Sequence, residues 1–140
     1  MATAMHSLPV RVYYEDTDAG GVVFYANYLK FFERGRTEWL RELGYESQAM
    51  IHEIQRVIVV RHVELDYLSS ARLDDQLTIR TEMVKLGGSS LVFDQSAWRD
   101  DQCLCRGTLT VVCVNTDSFK ACRWPTELKQ TLQLQIKDRT

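Results

Sequence analysis

The stretch that most constrains the fold runs from Tyr14 to Leu43, YEDTDAGGVVFYANYLKFFERGRTEWLREL. From Tyr25 onward, Tyr25, Tyr28, Leu29, Phe32, Trp39, Leu40 and Leu43 recur at the three-and-four spacing of one helical face. Gly35 falls on that stripe, seven residues after Tyr28. A missing side chain there lets a strand approach the helix closely, at a propensity cost of about 1 kcal/mol. Lys30, Glu33, Arg34, Arg41 and Glu42 occupy the other face, which should meet water or a partner subunit. A helix of roughly 18 residues spans about 27 Å, the width of a small domain. The rest of the chain is expected to pack against it.

A polar loop precedes this helix. Asp16, Thr17 and Asp18 are residue types that fold onto nearby backbone, and Gly20-Gly21 permits positive φ or close approach by another molecule. The first N–H groups of a helix have no partner within it and carry the positive end of its dipole. A carboxylate beside such donors makes a simple catalytic constellation. The N–H groups stabilise an oxyanion while the carboxylate attacks or activates a water.

The segments that follow read as strands. Pro9 to Tyr14 alternates Val10, Val12 and Tyr14 against Arg11, Tyr13 and Glu15. Gly44 is placed as the C-terminal cap of the long helix, with a helical turn expected in Ser47 to Glu53. Val57 to Leu68 is read with an apolar face at Val57, Val59, Val63, Leu65 and Tyr67, and with His62, Glu64 and Asp66 opposite. Gln76 to Leu86, Leu91 to Trp98 and Leu104 to Asn115 complete a predicted antiparallel meander, with Gly87-Gly88-Ser89 as a hairpin turn. Leu128, Leu132 and Ile136 are spaced by four in Thr126 to Ile136, which predicts a short terminal helix or an arm within 126–140. The pattern is α+β, one five-stranded antiparallel sheet wrapped around one long central helix, with residues 1–140 as one domain.

Composition narrows the class. The chain is 45% hydrophobic and 26% charged with a formal net charge of −2, which gives no support for nucleic-acid binding. No apolar run approaches a membrane span, and Met1 to Pro9 lacks the apolar region of a signal peptide. A cytoplasmic setting with four reduced cysteines is expected.

The pattern Tyr14-x-Asp16-x-Asp18-x-x-Gly21-Val22-Val23, followed by Asn27-Tyr28 and an amphipathic helix, resembles the hotdog-fold acyl-CoA thioesterases of the 4-hydroxybenzoyl-CoA thioesterase type. VRVYYEDTDAGGVVFYANY with FFERGRTEWLRELG looks more closely like the bacterial thioesterases associated with the Tol-Pal cell-envelope system. LDYLSSARLDDQL, GGSSLVF and VVCVN extend the resemblance from about Pro9 to Pro125.

The resemblance implies hydrolysis of an acyl-CoA, short-chain aliphatic or aromatic, to free acid and coenzyme A. Coenzyme A enters as part of the substrate, and no metal or redox cofactor is implied. Asp18 matches the family's catalytic aspartate, and Tyr25 the position whose backbone N–H meets the thioester carbonyl. Close relatives often carry histidine where this chain has Tyr25. Gly21, Val23, Asn27, Tyr28, Ser89 and Ser90 match substrate-binding positions, the two serines in the hairpin that contacts the pantetheine arm. The family also implies a dimer or tetramer with the active site at the dimer interface. Acyl carrier protein as an alternative carrier and peripheral association with the inner membrane are further implied partners.

Competing readings remain open on the residues alone. Asp18 also suits an Asx turn that only holds the loop, and Asp16 is read as loop scaffolding. Glu33 is a rival acid on the helix, or else the partner of Arg34 or Arg36 in a surface ion pair. Glu64 and Asp66 are strand carboxylates of the kind some thioesterases draw from a neighbouring subunit. His62, Glu64 and Asp66 alternate on one face, but without a second nearby histidine or a cysteine pair at ligand spacing they predict no metal. Arg61, Arg80, Lys85 and Arg106 are unranked candidates for the coenzyme A phosphates. A hydratase would need a histidine in the active loop, and His6, His52 and His62 all fall outside it. The remaining alternative is a non-catalytic scaffold that binds an acyl thioester or acyl carrier protein beside envelope machinery.

Overall fold

The structure, a computed structural model, describes residues 5–137. Strand β1 (His6–Arg11) leads through a turn of 3-10 helix (Tyr14–Asp16) and a loop into α1 (Asn27–Glu42). Helix α2 (Ser47–Ile54) then precedes four strands, β2 (Arg56–Tyr67), β3 (Gln76–Leu86), β4 (Ser90–Arg99) and β5 (Gln102–Asn115). Helix α3 (Thr126–Lys137) closes the described chain, so the predicted tail is a helix, while residues 1–4 and 138–140 lie outside the described residues. All strand pairs are antiparallel, in the order β1-β3-β4-β5-β2.

Two expectations are corrected. The first strand does not run to Tyr14, because the chain turns there and the Asp16 carboxylate draws the Tyr13 N–H back onto itself at 2.9 Å. The four later strands are not a simple meander either. Only β3, β4 and β5 follow in order, whereas β2 crosses to the far edge and pairs with β5.

The register of β2 also slips between Val60 and His62, where Arg61 is the extra residue of a bulge. Ile58 and Val60 therefore lie opposite Cys113 and Val111, whereas Val63, Leu65 and Tyr67 lie opposite Leu109, Gly107 and Cys105. The apolar face is even-numbered before the bulge and odd-numbered after it. Val57 and Val59 consequently leave the face expected of them.

Helix α1 lies on the concave side of the sheet. It buries Tyr28, Phe31, Phe32, Gly35, Arg36, Trp39 and Leu40, while Tyr25 and Leu29 are exposed. The buried stripe is rotated from the expected one, with Phe31 and Arg36 turned inward and Leu29 left exposed, and the helix begins at Asn27, so Tyr25 precedes it. Gly35 fits the predicted close approach, because a Cβ there would stand 2.6 Å from Thr81 Oγ1 and 3.0 Å from Ile79 Cγ2, both on β3. A buried polar cluster fills the space alongside. Gln95 donates to the Phe32 carbonyl at 2.9 Å and to Thr81 Oγ1 at 2.8 Å, and accepts from Arg36 at 3.0 Å. Burial lowers the pKa of Arg36 from its ordinary value. At the far end, the Gly44 N–H reaches the Arg41 carbonyl and the Tyr45 N–H the Leu40 carbonyl. With φ at +97° for Gly44, this is a Schellman cap.

Candidate functional site

The site is built where the loop 16–26 meets the start of α1. Asp16 is the loop's anchor, only 4% exposed. Its carboxylate accepts the Tyr13 N–H, and its carbonyl accepts the Asn27 side-chain amide at 2.7 Å and the Phe24 N–H at 3.1 Å. Asn27 therefore ties the first turn of the helix to the loop. Val23 donates to the Ala71 carbonyl at 2.8 Å, and Leu73 donates to the Gly21 carbonyl at 3.2 Å, which stitches the loop to the segment before β3. That segment is itself held by Asp75, whose Oδ2 accepts from Arg99 at 2.7 Å and from the Arg72 N–H at 2.9 Å. Burial pushes the Asp75 carboxyl up, but Arg99 and the Arg72 N–H outweigh it and hold it below the usual range.

Asp18 stands on the outer side of this frame and is exposed. Its Oδ1 accepts from the Gly20 N–H at 2.8 Å and has a long contact of 3.4 Å to the Val22 N–H, an Asx-turn geometry. Among the described residues its Oδ2 makes no hydrogen bond. Gly21 has φ of +79°, and a Cβ there would meet no atom within 4 Å. Its conformation is thus what requires glycine, and the space in front of it is open.

The helix entry supplies donors. Asn27, Tyr28 and Leu29 N–H groups are taken by the carbonyls of Phe24, Tyr25 and Ala26, but the N–H groups of Tyr25 and Ala26 have no acceptor among the described residues. The Tyr25 side chain is 61% exposed and packs at 4.7 Å from the Phe24 ring and 5.8 Å from that of Tyr67. Phe24, Tyr25 and Tyr67 form an exposed apolar wall beside those donors. Phe24 and Tyr67 were not singled out from the sequence, since Tyr67 reaches the loop only through the strand order. The period-two pattern of β2 identified Tyr67 as apolar and nothing more.

The other expected residues divide sharply. Val23 and Tyr28 are 6% and 2% exposed and belong to the core around Phe31, Phe32 and Ile79. The Tyr28 hydroxyl accepts the Ala71 N–H at 3.2 Å, and burial raises its pKa above the ordinary tyrosine value. Ser89 and Ser90 form the turn between β3 and β4, at the opposite end of β3 from the loop that carries Asp18. Eleven residues of strand separate the two ends, which is about 36 Å. One chain does not bring those serines to Asp18.

The rival groups are elsewhere. Glu33 accepts the Thr37 hydroxyl at 2.6 Å and forms no ion pair among the described residues. His62 and Glu64 contact each other at 2.9 Å on exposed β2. Among the described residues, no three His, Cys, Asp or Glu side chains converge on a common point. Among the described residues no helix is long and apolar enough to cross a membrane. A cleft of about 320 Å³ runs between α1 and β2, lined by Leu29, Lys30, Glu33, Arg36, Val60 and Val63 together with Leu109.

Comparison with known proteins agrees with this architecture. The thioesterase superfamily model matches residues 20–106, which is more than half of the chain. The chain belongs to the thioesterase superfamily. Its fold is the hotdog, a sheet curled around a central helix. An acyl-CoA thioesterase, YbgC, of Haemophilus influenzae is 46% identical over 123 residues, 88% of this chain and 90% of that protein. The acyl-CoA thioester hydrolase YbgC of Escherichia coli O6:H1 is 46% identical over 86% of this chain and 90% of its own. Among solved structures, a probable thioesterase from Bartonella henselae superposes with a TM-score of 0.83 at 34% identity, covering 86% of this chain and 99% of that one. The superfamily match begins at Gly20, so Asp18 lies just outside it and its standing rests on geometry.

Proposed function

We propose that the protein is an acyl-CoA thioester hydrolase in which Asp18 activates the attack and the N–H groups of Tyr25 and Ala26 stabilise the oxyanion. One observation carries the reading. An exposed carboxylate stands on the loop that leads into a helix, and the N–H groups of the two residues just before that helix, Tyr25 and Ala26, are unfilled among the described residues. The names of the YbgC relatives support the substrate class.

The thioester carbonyl accepts the two N–H groups, and these bonds strengthen as negative charge grows on its oxygen and makes it a better acceptor. Asp18 either takes a proton from a water that attacks the carbonyl carbon, or attacks that carbon itself to form an anhydride that water then cleaves. In both routes the carbon–sulfur bond breaks and coenzyme A leaves as the thiolate. No strong general acid is needed at the sulfur. The wall of Phe24, Tyr25 and Tyr67 suits a short aliphatic or aromatic acyl group.

A second copy completes the site in this reading. The outer edge of β2 is unpaired, and Val59, Val60 and Val63 are 44%, 41% and 36% exposed. Antiparallel pairing of β2 with its twofold copy sets the C-terminal end of one strand beside the N-terminal end of the other. The Ser89–Ser90 turn of the second copy then lies at the same end of the joined sheet as Asp18, ready for the pantetheine arm.

The test is thiol release from acyl-CoAs, short aliphatic through hydroxybenzoyl, by wild type and Asp18→Asn. Asparagine keeps an Oδ1 acceptor for the Gly20 N–H, so the loop survives while the base is lost. Turnover should fall by about 10²–10⁴-fold with binding kept. Equal behaviour of the two proteins, with no turnover on any acyl-CoA, would leave a non-catalytic acyl-thioester or acyl-carrier-protein scaffold as the reading.

A further inference from the structure

Two of the four cysteines face each other near the end of the sheet remote from Asp18. Cys113 lies in β5, and Cys122 follows the turn 116–118 just before α3. Their sulfurs are 3.9 Å apart. The backbone fixes the pairing, because the Cys122 N–H donates to the Cys113 carbonyl at 2.9 Å and Val114 bridges Ala121 antiparallel beside them. Cys113 is buried and Cys122 half-buried, so one sulfur can meet a small oxidant and the other cannot. Arg56 completes the cluster. Its Nε is buried without a hydrogen-bond partner, and its charge acts on the Cys113 thiol.

The other two thiols make a natural contrast. Cys103 and Cys105 are two residues apart on one strand, yet Cys103 is half-buried while Cys105 is fully buried in the core. Positions two apart along one extended strand hold their Cα atoms about 6.6 Å apart, at the limit a disulfide spans, whereas directly opposed cross-strand neighbours lie closer and can close once each χ1 turns to bring the sulfurs to about 2 Å.

We propose that Cys113 and Cys122 are a reversible disulfide site that closes when the protein meets hydrogen peroxide. The accessible Cys122 thiolate attacks a peroxide oxygen, the oxygen–oxygen bond breaks, and Cys122 becomes a sulfenic acid as hydroxide leaves and is protonated to water. The Cys113 sulfur then attacks Cys122 Sγ. The sulfur–sulfur bond forms, the sulfur–oxygen bond breaks, and the departing hydroxide leaves with the Cys113 proton as a second water. Two thiols lose two electrons in total, and one peroxide is reduced to two waters. Burial pushes the Cys113 thiol up to about 12, so the second step is slow and accelerates as pH rises. Arg56 works in its favour by stabilising the thiolate. A general reductant reopens the bond.

The link would tighten the turn that holds Ser89 and Ser90. Cys113 donates its N–H to the Ser89 carbonyl at 2.8 Å, and Trp124, two residues after Cys122, donates to the carbonyls of Gly88 and Ser90 at 3.1 and 3.2 Å. The inference itself stands apart from the hydrolase reading, because its readout is mass.

The experiment treats the full chain with hydrogen peroxide, blocks remaining thiols with an alkylating reagent under denaturing conditions, and measures intact and peptide masses without reductant. The expected result is loss of the mass of two hydrogens, alkylation of two thiols instead of four, and one cross-linked peptide pair joining Cys113 to Cys122, all reversed by dithiothreitol. Cys122→Ser should abolish the cross-link while leaving Cys113 alkylatable. Oxygen adducts without a cross-link, a link through Cys103 or Cys105, or the same mass loss in Cys122→Ser would each overturn the proposal.

Discussion

Asp16 and Asp18 are two residues apart and live in opposite surroundings. The first is buried, with one oxygen accepting the Tyr13 N–H and the other 4.0 Å from Lys30 Nζ, while the second is exposed with one oxygen uncommitted among the described residues. Asp16→Ala strands the Tyr13 N–H and should destabilise the fold by about 1–3 kcal/mol, read as a lower urea midpoint. Asp18→Asn should leave that midpoint unchanged while removing turnover. A variant pair that behaved the other way round would exchange the roles assigned here. The residue types in the loop were readable from the sequence, and so was the scaffolding role of Asp16. That Tyr28 lies on the packed face of the helix was readable as well. What could not be read is that Phe31 and Arg36 turn inward while Leu29 stays exposed, because the strands packed on the helix, and not spacing alone, set the centre of its buried stripe.

At the level of elements, the pairing of β2 with β5 depends on Gly107. A Cβ there would run into the Glu64 carbonyl on the neighbouring strand, which is backbone and cannot rotate away. Gly107→Ala should cost about 1–3 kcal/mol through overpacking, visible in thermal unfolding. Strand β5 also carries two thiols whose protons the fold retains. Burial pushes Cys105 and Cys113 from an ordinary 9.0 to about 12. Above about pH 9 the unfolded chain releases protons that the folded one keeps, so stability falls as pH rises through the range up to about 12. Tyr28, raised by burial, adds a loss of the same sign. Urea midpoints from pH 8 to pH 11 check this, and a flat profile would contradict it. Strand existence was legible from alternation, and β3 was placed to the residue. The bulge at Arg61 was not, since one extra residue reverses the faces without changing composition.

For the whole molecule, the open edge of β2 and the distance between Asp18 and Ser89 point the same way. Val63→Asp puts a charge on the edge that the proposed pairing covers. The variant should sediment as a monomer, and turnover should fall along with the dimer. A monomeric wild type that hydrolyses acyl-CoA at full rate would refute the shared site.

The sequence by itself determined the α+β class, the long central helix with its glycine contact and glycine cap, and the acidic loop in front of it. These follow from local periodicity and from residues whose conformational preferences act over a few positions. Tertiary structure alone decided the crossing of β2 to the far edge, the placing of Tyr67 beside Tyr25, the burial of Arg36 against Gln95, and the meeting of Cys113 with Cys122. Each of these joins residues distant along the chain, and no local preference carries such a distance. Packing of the sheet around its helix sets them, through the order in which strands pair.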